Sequence, residues 1–274
     1  MVFVGPAVLM LVLLLVFPLL QALVWSFRVK GGWGIGNYVT AIARDEVLRL
    51  ALWHTVVFSG VSTAAQYLIG LSIALLLNEH IPARGPMRVA FLIPWMFPAV
   101  VPGVVWRWML DGQFGILNEL LLRAGLIQEY VPWLADPRTA LAGTIMANIW
   151  RGFPFMMVML LAGLQAIPPE LYEAASVDGA NARQRFLHVT MLALTGVSYV
   201  VLLLGWIGSF MNFSIVQIMT NGGPANSSEV LATRIYKSAF LYMEPSYAAA
   251  IGILLLVFLM LPGAAYVRAT TKPQ

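Results

Sequence analysis

Between Pro168 and Leu192 the chain reads PPELYEAASVDGANARQRFLHVTML, a polar stretch lodged between two long apolar runs. Pro168 and Pro169 suit the start of a helix, where the amide hydrogen has no partner anyway, and Glu170 and Glu173 fall in or near a first turn whose dipole favours negative charge. Leu171, Ala174 and Ala175 share a face of small side chains that lets another protein approach closely. Asp178-Gly179 offers a left-handed residue to end that helix, and a second helix can begin near Asn181 and carry Arg183 and Arg185. The product is a helix-turn-helix knob presented to a partner in water. Its chemistry is that of docking, and no catalytic group and no metal site are expected. The chain has no cysteine, and His54, His80 and His188 are far apart. None of Lys30, Lys237 and Lys272 follows a glycine-rich phosphate loop.

A second set of polar groups sits inside the apolar runs. Arg151, in Asn148-Ile-Trp-Arg-Gly-Phe-Pro-Phe155, is the one full charge well inside a span. A mid-membrane arginine costs at least about 2.5 kcal/mol on insertion scales, so it should face an aqueous pathway or an acidic partner, or reach an interface along its own stem. Ser209, Asn212, Ser214 and Gln217 lie in a later span, with Ser209 and Asn212 spaced to share a helix face. They suit equally a substrate contact and polar bonding between helices. Pro94, Pro98 and Pro102 recur every four residues and predict a bent or partly unwound helix whose freed carbonyls must meet protein or water.

The container for these groups is a membrane. Sixty per cent of the 274 residues are hydrophobic and 10 % charged, and mean hydropathy is +0.83, values a soluble domain could not cover with polar surface. The formal charge of +4 comes from scattered basic residues, which excludes a nucleic-acid footprint. Since about 20 apolar residues cross the hydrocarbon layer, six spans are expected: Phe3 to Phe27, Ala51 to Leu77, Val89 to Leu110, Thr139 to Gly163, Met191 to Thr220 and Tyr247 to Val267. The class is an all-α membrane protein forming a single domain over residues 1–274. The first span lacks a basic leader and is read as an anchor rather than a signal peptide, with the expectation of a trimmed cytoplasmic tail before Met1. Arg84, Arg88, Arg183, Arg185, Arg268 and Lys272 on one side balance the basic residues in the longer loops opposite. Charge bias therefore sets no orientation. Trp25, Trp53, Trp106, Trp108 and Trp133 mark span ends.

The polar stretch resembles a known motif. Glu173-Ala-Ala, then Gly179, then Val189 is similar to the EAA loop, here 168–190, of the permease subunits of bacterial ATP-binding-cassette importers. Ile167-Pro-Pro-Glu-Leu-Tyr172 and Asp178-Gly-Ala180 are typical of the carbohydrate branch, the maltose and glycerol-3-phosphate type. Phe91-Leu-Ile-Pro-Trp95, Trp106-Arg-Trp108, Phe114-Gly-Ile-Leu-Asn118, Thr220-Asn-Gly-Gly-Pro-Ala225 and Ile235-Tyr-Lys237 also resemble it, so the likeness covers most of the chain. Where the family motif closes on Ile-x-Leu-Pro, this chain has Val189, Met191 and Leu192. The resemblance implies a six-helix type I importer fold in the inner membrane, with the loop and both termini cytoplasmic. It implies coupling through Glu170, Glu173, Ala174, Ala175, Asp178, Gly179 and Arg183 to a dimer of ATPase subunits that use ATP and Mg, with no cofactor bound by this chain. A second homologous permease, an extracytoplasmic solute-binding protein and a sugar-like substrate are the other implied partners. Arg151, Gly152, Phe155, Ser209, Asn212 and Phe213 match positions lining the family's sugar site.

Two other classes compete. Asp178-Gly-Ala-Asn-Ala-Arg183 fits the opening of the CDP-alcohol phosphotransferase motif, but no aspartate follows it to hold metal, and Leu192 stands where the next glycine is needed. An ion-coupled secondary carrier would also use broken helices, yet no acidic residue lies within any expected span.

Overall fold

The computed structural model describes residues 5–270, with side chains described for all of these except 7, 261–262 and 264–270. The expected start of the first span at Phe3, Lys272 and both chain termini lie outside the described residues. The chain divides into two compact units, one made of Met1–Trp53 with Glu229–Gln274 and the other of His54–Ser228.

In the first unit, α1 (Gly5–Leu11) continues through a π-helical turn, Val12–Val16, into α2 (Phe17–Ser26). The run Val8–Ser26 is apolar on every side with almost no buried face, the pattern of a helix solvated by hydrocarbon. A short antiparallel hairpin, β1 (Arg28–Val29) and β2 (Gly32–Trp33), follows, then α3 (Gly36–Val39) and a π turn over Thr40–Arg44. The 33-residue helix α4 (Glu46–Asn78) begins here and carries the chain into the second unit. Asp45 caps it, its Oδ1 accepting from Leu48 N at 2.9 Å.

In the second unit the third expected span is broken, as its prolines predict. It forms α5 (Arg84–Met96) and α6 (Val100–Met109), which meet at 95°. Pro94 is accommodated inside α5, the chain is extended at Phe97, and Pro102 takes the third position of α6, where no amide donor is needed. After α7 (Ile116–Arg123), helix α8 (Ala140–Gln165) reproduces the fourth span and forms the centre of this unit. Helices α5 and α12 (Thr195–Phe210) pack on it. The core joins Leu71, Ala74 and Leu77 of α4 to Met156, Met157, Leu160 and Leu164 of α8 and to Leu194 and Val201. Gly70 makes the α4–α8 approach possible: a Cβ there would sit 2.6 Å from that of Met156 and 2.9 Å from the Met157 amide. The polar loop holds α9 (Pro169–Val177) and α10 (Ala182–Arg185); a π turn, Phe186–Thr190, and α11 (Met191–Ala193) lead to α12.

The fifth expected span differs from its sequence reading in one respect. Helix α12 stops at Phe210, and α13 (Ser214–Met219) starts after a break at 211–213. Ser209 and Asn212 therefore do not share a helix face. In the first unit, α14 (Leu231–Tyr236) and a π turn over Lys237–Leu241 precede α15 (Pro245–Thr270), which packs on α2. Among the described residues four helices, Val8–Ser26, Glu46–Asn78, Ala140–Gln165 and Thr195–Met219, are long and apolar enough to cross a membrane. The bent pair would make a fifth, and Pro245–Met260 is a shorter apolar helix.

Candidate functional site

Two sites emerge, both in the second unit. The first is a chain of hydrogen bonds between spans. Its polarity is fixed by one group that can only donate, the amide of Ile215, which meets Asn212 Oδ1 at 3.2 Å. The oxygen of the Asn212 carboxamide is thereby assigned, and its Nδ2 donates to Asn148 Oδ1 at 3.0 Å. Asn148 Nδ2 in turn donates to Ser209 Oγ at 3.1 Å. Ser209 thus accepts from Asn148 and keeps its own hydrogen to donate. Asn148 and Ser209 are buried and Asn212 is half-buried. Gln66 on α4 joins the set by donating to the Asn148 carbonyl at 2.8 Å. It reaches that carbonyl because residue 152 is glycine, and a Cβ at Gly152 would collide with the Gln66 carboxamide.

The polar residues picked out in the sequence thus meet through a residue that was not, Asn148, and through Gln66. Asn148 stands one helical turn before Gly152, a spacing that places both on one face of α8. That periodicity was the available signal; Gln66 carried none, because its partner is 82 positions away.

Around this chain lie the other candidate side chains. Arg151 is half-buried, its Nε is fully buried without a hydrogen-bond partner, and it forms no ion pair among the described residues. Phe155 is half-buried and its ring lies 6.2 Å from that of Trp95, just before the bend between α5 and α6. Trp150 meets Trp106 of α6 edge-on at 6.3 Å. Phe213 lies in the break beside Asn212.

The second site is the polar loop. Pro168 and Pro169 start α9, and Glu170 falls in its first turn, with Glu173 one turn further on. Gly179 has φ +79°, and the amides of Ala180 and Gly179 return to the carbonyls of Ala175 (2.9 Å) and Ser176 (3.1 Å). This double closure requires a left-handed residue after the helix, which glycine adopts without a Cβ clash. Asn181 then caps α10 in a reciprocal box with Gln184, at 3.0 Å and 2.8 Å. Two bonds fold the inner face of α9 back on the chain: Tyr172 OH to Thr190 Oγ1 at 3.0 Å, and Arg185 Nη1 to Ser176 Oγ at 2.9 Å. Glu170, Glu173, Ala174 and Val177, at i, i+3, i+4 and i+7, form the outer stripe. All four are exposed, Val177 at 88 %. Asp178, Gly179 and Arg183 are exposed and Ala175 half-buried. The carboxylates of Glu170, Glu173 and Asp178 have no ion-pair partner among the described residues.

Residues 66–269, which contain both sites, match the family described as binding-protein-dependent transport system inner membrane component. The chain belongs to that family. It is 36 % identical over 83 % of its length to the trehalose/maltose transport system permease protein MalF of Thermococcus litoralis, covering 75 % of that protein. It is 33 % identical over 96 % of its length to the sulfoquinovosyl glycerol transport system permease protein SmoG of Agrobacterium fabrum, covering 87 % of it. Among solved structures, a chain of a bacterial alginate transporter, in complex with an alginate pentasaccharide-bound periplasmic protein, superposes with a TM-score of 0.84 at 23 % identity. That likeness covers all of this chain and 95 % of the other and establishes the fold. The permease is therefore a multi-pass inner-membrane component of a transport system.

Proposed function

We propose that this permease forms half of a six-span-per-subunit pore for a sugar-like solute, an oligosaccharide, polyol or glycerol-3-phosphate. It would pair with a second homologous permease, receive solute from an extracytoplasmic binding protein, and be driven by a dimer of ATPase subunits. Those subunits use ATP and Mg, and this chain binds neither. The sugar class is supported by the trehalose/maltose and sulfoquinovosyl glycerol relatives.

The observation that carries the coupling role is the outer stripe of α9. A rigidly closed turn at Gly179 and a capped α10 hold Glu170, Glu173, Ala174 and Val177 out into solvent, with unpaired carboxylates and an almost fully exposed valine. Exposed apolar surface beside free charge suits a protein groove. In this reading the stripe, with Ala175, Asp178, Gly179 and Arg183, is the handle gripped by the ATPase in the cytoplasm, where both termini also lie. Translocation is then a movement of spans around α8 driven from that handle.

At the solute site, the Ser209 hydroxyl and the remaining N–H of Asn212 are donors for sugar oxygens. Phe155 stacks on a ring, Arg151 and Phe213 border the passage, and Gly152 keeps Gln66 in place. Reconstitution in proteoliposomes tests the whole reading. Uptake should require the ATPase subunits, the binding protein and ATP-Mg together. Uptake that follows an ion gradient without nucleotide would replace the reading with a carrier.

A further inference from the structure

A cavity of about 1170 Å³ opens within the first unit, at the end of α2 and the starts of α4 and α15. Its floor is electrostatically closed. Asp45 Oδ2 accepts from Arg234 Nη2 at 2.7 Å and from Tyr247 OH at 2.6 Å, so Arg234 is already neutralised. Its rim is not. Arg28, Lys30 and Arg44 line the cavity, are exposed, and form no ion pair among the described residues. The Arg28 guanidinium is held over the Trp33 ring at 5.9 Å. Of the rim carboxylates, Glu46 pairs with Arg49 at 3.5 Å, leaving Glu244 as the single unpaired anion against three cations.

The same mouth is apolar. Ile35, Val39 and Met243 line it and are 64 %, 42 % and 77 % exposed, and Trp33, Ile42 and Phe240 stand nearby in sequence at 66 %, 63 % and 68 %. Such side chains directly after a membrane helix are the signature of the lipid–water boundary, where tryptophan and amphipathic segments settle. A ligand satisfying cations and exposed aliphatic groups in one place needs a phosphate joined to hydrocarbon, and the volume accommodates a headgroup.

We infer that this cavity is a phospholipid site, in which Arg28, Lys30 and Arg44 hold the phosphate and Ile35, Val39 and Met243 seat the acyl chains at the boundary. Specific retention of one lipid would fix the hairpin and α3 at a constant depth, whichever solute the pore carries.

The complete transporter, purified with its partner subunits, is delipidated stepwise, offered dioleoyl phosphatidylglycerol, dioleoyl phosphatidylethanolamine or inorganic phosphate, and examined by native mass spectrometry. The unaltered complex should retain a phospholipid through the wash. Arg28→Gln/Lys30→Gln/Arg44→Gln should lower retention at least about tenfold, since each cation near a lipid surface contributes roughly fivefold. Preference for phosphatidylglycerol shows that net headgroup charge is read, and equal retention of both lipids shows that the phosphodiester alone is read; either supports the site. Met243→Glu, at a position 77 % exposed, should lower lipid retention with all three cations present. The inference is overturned by unchanged retention in the triple variant, by an equal loss in Arg123→Gln/Arg138→Gln, or by displacement of the lipid by inorganic phosphate. It is also overturned if the triple variant keeps its lipid but loses affinity for the binding protein, which would assign the rim to a protein contact.

Discussion

Asn148 is the residue on which the proposed solute site turns. Its carboxamide is committed at both ends, accepting from Asn212 and donating to Ser209, so it decides which hydrogens the neighbouring groups have left. Asn148→Asp keeps the acceptor and removes the donor. The Ser209 hydroxyl then turns to donate inward, and KM for uptake should rise about tenfold, the worth of one hydrogen bond at about 1.4 kcal/mol, while ATPase activity persists. Asn148→Leu leaves Asn212 Nδ2 and Ser209 Oγ without their partner and should cost about 1–3 kcal/mol in stability as well, measured as a lower midpoint in detergent melts. Gly152→Ala gives an independent check. It does not touch the carboxamides of Asn148 or Asn212, but it displaces Gln66, so its melting midpoint should fall by a comparable amount. Unchanged uptake kinetics in Asn212→Ala would remove that residue from the solute site. Much of this site could be read from residue types: Arg151, Ser209 and Asn212 stand out because polar groups in apolar runs need partners. The partners themselves could not be read, since Gln66 and Asn148 are distant in sequence and meet only because Gly70 and Gly152 let α4 close on α8.

At the scale of elements, local rules carried furthest where a segment settles its own hydrogen bonds. The α9–α10 turn was legible because Pro169, Gly179 and Asn181 each have one dominant backbone role, and all three take it. The α5–α6 bend followed from Pro94 and Pro98 in the same way. The break at 211–213 was not legible, because no proline or glycine marks it. Asn212 produces it by accepting from Ile215, an alternative to helix that a long apolar run conceals. Gly179→Val tests the turn. A β-branched residue at φ +79° is strained by about 1–2 kcal/mol, which should shift the α9 stripe and lower ATP-driven uptake at least about fivefold, while the detergent melt of the isolated permease falls by no more than that strain accounts for. Equal uptake by Gly179→Val and the unaltered chain would separate the loop from coupling. With Leu192 where the family motif has proline, helical structure continues from Ala182 to Phe210 with one π turn, Phe186–Thr190, and a turn at Leu194, so on the proposed coupling role the stripe and α12 are joined by an almost continuous helical path.

At the scale of the whole molecule, composition alone indicated a membrane protein, and the apolar runs located most of the helices within a few residues. What composition could not supply was the set of charges that tie the first unit together. Asp45 is partly desolvated, which opposes ionisation, but hydrogen bonds from Tyr247, Arg234 and the Leu48 amide hold its carboxyl below the ordinary carboxylate range. A group depressed in the folded state contributes stability above its unfolded pKa and loses it as pH falls through the folded value. Thermal stability should therefore hold at neutral pH and decline in acid, below the usual range of aspartate. Asp45→Asn should flatten that acid limb and lower the neutral midpoint; an identical acid limb in this variant would move its origin elsewhere.

Helix α4, with 33 residues, has a further consequence. At 1.5 Å per residue it measures about 50 Å, against roughly 30 Å of hydrocarbon, so it must lean or project well past the oil layer. A rod with so much overhang tolerates thick and thin bilayers by changing its inclination. Chain length of the surrounding fatty acids should therefore alter the pitch of this rod before it alters whether the protein can be inserted at all.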